Sequence, residues 1–64
     1  MLGKPKFKKG DICWYFDTYL WREIEVKVSI VTKNGYGCVD KDGERYFIKE
    51  RELFATKNEL LLSL

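Results

Sequence analysis

The chain has 64 residues, a net charge of +2 and no histidine. That length makes one domain, which buries only roughly 60% of its unfolded surface and so needs a rich core. Four Tyr, four Phe and two Trp can supply it. Without histidine the commonest general base and the commonest metal ligand are missing, and Cys13 and Cys38 do not form a CxxC-type ligand pair. The expectation is a non-enzymatic protein with no metal and no cofactor.

The charge is unevenly placed. Residues 1 to 10 carry Lys4, Lys6, Lys8 and Lys9 and no acid, while the remainder is slightly acidic. Residues 1–6 read as a frayed basic arm, with Pro5 barring regular structure, and residues 7–64 as the folded domain. No segment resembles a signal peptide or is long enough to span a membrane. A cytoplasmic protein with two reduced thiols is expected.

Phe7 begins the ordered part, Lys9-Gly10-Asp11 reads as a turn, and Ile12–Phe16 as the first strand. Asp17-Thr18 opens a loop that carries Tyr19, Leu20 and Trp21. Ile24, Val26, Val28 and Ile30 then alternate with Glu25, Lys27 and Ser29, the period-two pattern of a strand with one apolar face. Carried back, the alternation puts Tyr19 and Trp21 on the polar face, which marks them for exposure.

Asn34-Gly35 and Asp42-Gly43 both suit type I′ turns. A two-residue loop at Asn34-Gly35 places Ile30 opposite Val39 and Val31 opposite Cys38. A bulge would shift the register by one and exchange the faces of the second strand. A two-residue loop at Asp42-Gly43 pairs Asp40 with Arg45 and Lys41 with Glu44, both attractive. A three-residue loop would set Asp40 against Glu44, so the shorter loop is expected. Thr56-Lys57-Asn58-Glu59 has the form of a capping box. It predicts a short helix whose Leu60 and Leu64, four apart, share a face with Leu61 beside them. That face is expected to dock on the barrel and close one end of its core; the competing reading is a dimer or partner surface.

Five short strands and a final helical turn predict an all-β fold: a small five-stranded SH3-like barrel with a short C-terminal helix. Phe7, the Gly10-Asp11 opening, Cys13, the Asp42-Gly43 turn and the closing Glu52-Leu53-Phe54 resemble a Tudor-like domain. The fuller string GDxxWYF…VxI…DGxxYxIxxxELFATKxELL is similar to small single-domain proteins of Firmicutes and their phages. The Tudor resemblance implies an aromatic cage for a methylated cation, with Trp14, Tyr19, Trp21 and Tyr36 as candidate rings. Asp17 and Glu23, however, fall near where such domains place cage aromatics.

Two binding readings remain. Tyr19, Trp21 and Arg22 sit in what reads as a long loop after the first strand, where SH3 domains carry part of their ligand groove. Trp, Tyr and Arg are the usual interface anchors. Together with Tyr36 they are the candidate contacts to a protein partner, in a monomer or weak dimer. Trp21 could instead fold over the barrel mouth as a lid. The alternative partner is nucleic acid, bound through Lys4, Lys6, Lys8 and Lys9.

Overall fold

A computed structural model of the chain describes residues 4–64; the first half of the expected arm, residues 1–3, lies outside the described residues. The elements are β1 (Ile12–Asp17), β2 (Arg22–Thr32), β3 (Gly35–Val39), β4 (Arg45–Ile48), a 3-10 turn (Glu50–Glu52), β5 (Leu53–Phe54) and α1 (Lys57–Ser63). The strands form one antiparallel sheet in the order β4-β3-β2-β1-β5, curled into a half-barrel.

The inner face carries the core. Cys13, Val26, Val28, Tyr36, Cys38, Ile48 and Leu53 gather there from all five strands. Phe7 joins them from the N-terminal segment, its ring edge-on to Tyr36 at 5.6 Å. At the end of the expected arm, the Lys6 backbone N–H donates to Glu50 Oε2 at 2.9 Å. Both cysteines are unpaired and buried. Burial pushes the Cys13 thiol up to about 11, with the charges of Asp11 and Cys38 adding to it, and burial raises Cys38 as well.

Both hairpin registers differ from the expected ones, and side-chain capping is the reason. The first hairpin turns at Lys33-Asn34, with Thr32 opposite Gly35. Among the described residues Trp21 is the one non-glycine at positive φ, so Asn34 does not take the type I′ conformation. Thr32 Oγ1 accepts from the N–H groups of Asn34 and Gly35, each at 3.1 Å, and donates to the Gly35 carbonyl at 2.9 Å. The hydroxyl closes the tip one residue early. The ladder then slips at Ser29, pairing Ile30 with Gly37 but Val28 with Cys38. This bulge swings Tyr36 and Cys38 onto the inner face beside Val26 and Val28 and turns Ile30 outward.

The second hairpin has a three-residue loop, Lys41–Gly43, closed by Asp40 N–H to Glu44 O at 3.0 Å and Gly43 N–H to Asp40 O at 3.1 Å. Gly43 sits at φ 85°, and Arg45 lies opposite Val39 rather than Asp40. The Asp40 carboxylate explains the choice. It accepts from the Asp42 and Glu44 N–H groups, both at 2.9 Å, and from the Tyr46 hydroxyl at 3.0 Å. Charge-assisted bonds to three donors outweigh one exposed cross-strand ion pair. Partial desolvation works to raise the Asp40 pKa, but the bonds from Glu44, Tyr46 and Asp42 overcome it and hold the carboxyl below its ordinary value. Tyr46 is pushed up to about 12, by burial first and then by Asp40.

Helix α1 covers part of the outer face, contacting β1 and β5. Thr56 Oγ1 accepts from the Glu59 N–H at 3.1 Å, the cap that starts it; among the described residues no bond from the Glu59 side chain completes the box. Leu60 alone is buried, at 2% exposure, while Leu61, Leu62 and Leu64 stay open. Docking is therefore narrower than expected, and it falls on the outer face along β1 and β5 and not at an end of the core: Leu64 follows the last helical residue, Ser63, as the C-cap and stays 70% exposed.

Candidate interaction surface

The loop between β1 and β2 is only four residues, Thr18–Trp21, and not the long loop expected. Asp17 holds it from below. Its Oδ1 accepts from the N–H groups of Tyr19 at 2.8 Å and Leu20 at 3.3 Å, an Asx arrangement that ties the loop's own backbone to the end of β1. With two donors satisfied at the base, the side chains point outward. Tyr19 is 94% exposed, and Leu20 is exposed beside it.

Trp21 closes the loop in the left-handed region, at φ 57°. For a bulky side chain that conformation costs about 1–2 kcal/mol. The residue is 75% exposed, and its ring stands edge-on to Phe16, centroids 5.3 Å apart at 80°. A ring held this way on β1 is not a lid over the core. Arg22 follows as the first residue of β2, opposite Asp17 and exposed.

Phe16 also joins this corner to a shallow groove of about 210 Å³ between β1, β5 and α1. Phe54, Leu60 and Leu64 line it, with Arg51 and Glu52 on the 3-10 turn. Trp21 is thus linked through Phe16 to one end of a mainly apolar trough, whereas Arg22 lines the separate cleft beside Glu23. Sequence reasoning did not find the trough, because it is made by the return of β5 beside β1 and by the helix that follows.

Tyr36 does not belong to this surface. The bulge at Ser29 puts it wholly inside the core, its hydroxyl bonded to Glu50 and to the Phe7 N–H. It has nothing to offer a partner. The candidate rings for a cation cage are likewise dispersed. A cleft of about 290 Å³ between β2 and the β3–β4 loop carries Glu23, Glu25, Asp40 and Asp42, with Trp14 as its one ring. Lys57 already lies over that ring at 5.7 Å and pairs with Glu23 at 3.4 Å. The Glu23 carboxyl sits below its ordinary value through its own backbone N–H and then Lys57.

The lysines of the arm are all exposed where described. The Lys6 ammonium lies over the Phe7 ring at 5.4 Å. Lys8 and Lys9 sit on a turn fixed by Asp11, whose Oδ2 accepts from the Lys8 N–H at 3.0 Å. That turn is laced to β2 by Gly10 N–H to Val28 O and Val28 N–H to Asp11 O. Among the described residues no group of His, Cys, Asp and Glu is placed to hold a metal ion, and no helix is long and apolar enough to cross a membrane.

Comparison with models of protein families, with curated proteins and with solved structures finds no match to this chain.

Proposed function

We propose that the chain is a small SH3-like barrel acting as a non-enzymatic interaction module, which docks a protein partner through Tyr19, Trp21 and Arg22. The fold part of this reading is supported by the meander of β1 to β4 and the return of β5 to the free edge of β1. The absence of histidine from the sequence and the burial of both thiols speak against nucleophilic and acid–base chemistry.

One observation carries the binding reading: Trp21 is held in a strained backbone conformation with most of the residue in water. Strain persists where the surroundings enforce it, and such sites cluster at ligand contacts. The Asp17 clamp beneath the loop keeps the ring preorganised, which lowers the entropy lost on docking. The trough beside it offers room for one apolar side chain of the partner.

The test is Trp21→Asn. Asparagine tolerates the left-handed conformation, so the strain relieved offsets the loss of the Phe16–Trp21 ring contact, worth about 0.5–1.5 kcal/mol. Stability should stay within about 1 kcal/mol of the parent. Binding to partners captured by the parent chain from native host extract should be lost. Equal capture by the parent and Trp21→Asn would discard the loop as the docking site.

A further inference from the structure

Helix α1 covers the outer face mainly along β1 and β5, and reaches β2 through the Lys57–Glu23 pair. The rest of that face, on β2, β3 and β4, is open and has a composition of its own. One cross-strand row runs Ile30–Gly37–Phe47, and the next runs Lys27–Val39–Arg45. Ile30 is 58% and Phe47 59% exposed.

The two glycines make the floor of this surface. A Cβ on Gly37 would come within 2.5 Å of Ile30 Cγ2. One on Gly35 would meet the Ile48 carbonyl at 2.8 Å and the Phe47 ring at 3.1 Å. Ile30 and Phe47 thus lie across space that only glycine leaves free. Glycine inside a strand marks close approach of another group. Here the occupants are an aliphatic side chain and a ring that both remain more than half in water.

The charge is graded: the Lys27–Val39–Arg45 row is cationic, and the cleft beyond it at the β3–β4 loop carries Glu25, Asp40 and Asp42 with Arg22 and Lys41. Among the described residues neither Lys27 nor Arg45 has a carboxylate partner. Lys8 and Lys9 stand on the turn bonded to Val28, directly before the bulge that presents Ile30. Glu25 lies opposite Trp14, towards α1 and away from the Ile30–Gly37–Phe47 row. An exposed ring on a glycine floor, flanked by Lys27 and Arg45, is complementary to a chain of phosphates carrying stackable bases. A duplex hides its base faces, whereas a single strand presents them.

We propose that this open face of β2–β4 binds single-stranded nucleic acid, with Phe47 as the stacking ring and Lys27 and Arg45 as phosphate contacts. The site is separate from the Trp21 loop, and it differs from binding by the lysine arm alone in requiring the ring. It does not depend on the protein-docking reading.

Fluorescence anisotropy of the full chain with labelled oligothymidylate and oligouridylate of about 12 nucleotides tests it. Binding is expected at low salt with both probes. Lys27→Gln and Arg45→Gln should each flatten the log–log salt slope by about 0.7. Phe47→Leu keeps apolar cover over Gly35 but removes the π face. It should weaken binding roughly 5- to 150-fold with the slope unchanged, and circular dichroism should show the fold retained. Tighter binding of one probe supports the site and tells which sugar it prefers. Three results would overturn it: no binding at low salt; binding that Phe47→Leu leaves intact; or, in sedimentation, a dimer that Phe47→Leu dissociates, which makes the face a contact between copies.

Discussion

The Tyr36 hydroxyl donates to Glu50 Oε2 at 2.6 Å and accepts from the Phe7 N–H at 3.1 Å. The same Glu50 oxygen takes the Lys6 N–H. One buried phenol thereby ties the N-terminal segment to β3 and to the 3-10 turn before β5. Tyr36→Phe keeps the ring's packing and removes the oxygen. It leaves the Phe7 N–H without that acceptor, at a cost of about 1–3 kcal/mol. Thermal melts should fall by about 4–8 °C for each kcal/mol lost. An unchanged melting temperature would mean that the segment contributes nothing to the fold.

Glu50 and Asp40, with Glu23, contribute to the acid limb of stability. The Tyr36 hydroxyl, then the Lys6 N–H, lower the Glu50 pKa below its ordinary 4.5, and Asp40 lies below its ordinary 3.8. In the unfolded chain these carboxyls take up protons at a higher pH than in the folded one. Their contribution is therefore full above the ordinary values and is lost as pH falls through the lowered ones. Stability measured by urea should be level from neutral pH to about 5 and decline below it. Glu50→Gln preserves an acceptor oxygen and should make the decline shallower. A decline of the same steepness in that variant would assign the acid limb to other groups.

The elements were legible in the sequence; the registers were not. Alternation from Ile24 to Ile30 and the run Ile12–Phe16 locate β1 and β2, because a period of two is what a half-buried strand requires. The Asp40–Arg45 pairing failed since an exposed charge pair is worth only about 0.2–1 kcal/mol. A carboxylate that gathers three donors decides the loop instead. Tyr36 was misplaced for a related reason: a one-residue bulge flips every later side chain, and nothing in Val28-Ser29-Ile30 announces it. Tyr19 and Trp21 are exposed as expected, but on a four-residue loop with Trp21 left-handed and not as a continuation of the strand's polar face. The trough arises from β1 and β5, strands distant in sequence, and the glycine-floored face from the bulge at Ser29 that turns Ile30 outward; no local pattern encodes either.

The thiols give a third test. Cys13 and Cys38 are both buried, and burial disfavours the thiolate that reacts. At neutral pH a thiol reagent should label the native chain slowly, at a rate set by opening of the sheet. In denaturant both thiols should titrate at once without prior reduction. Fast labelling of the native chain would show that β1 and β3 open far more readily than their place in the core implies.

Helix α1 rests on a single leucine, and that gives the sharpest contrast among variants. Leu60 is buried between α1 and the β1–β5 pair, whereas Leu62 projects into water. Leu60→Ala should cost about 2–5 kcal/mol, the transfer term plus the cavity left behind. Leu62→Ala, on the open side, should stay within about 0.5 kcal/mol. Thr56→Ala should cost about 1 kcal/mol through the lost bond to the Glu59 N–H. A helix of seven residues has no stability of its own, so loss of the Leu60 anchor should release all of it and expose Trp14 and Phe54 beneath. Tryptophan emission should shift to the red in Leu60→Ala and not in Leu62→Ala. Equal effects of the two variants on melting temperature would show that the exposed leucines are held as firmly as the buried one, and that a second chain covers them.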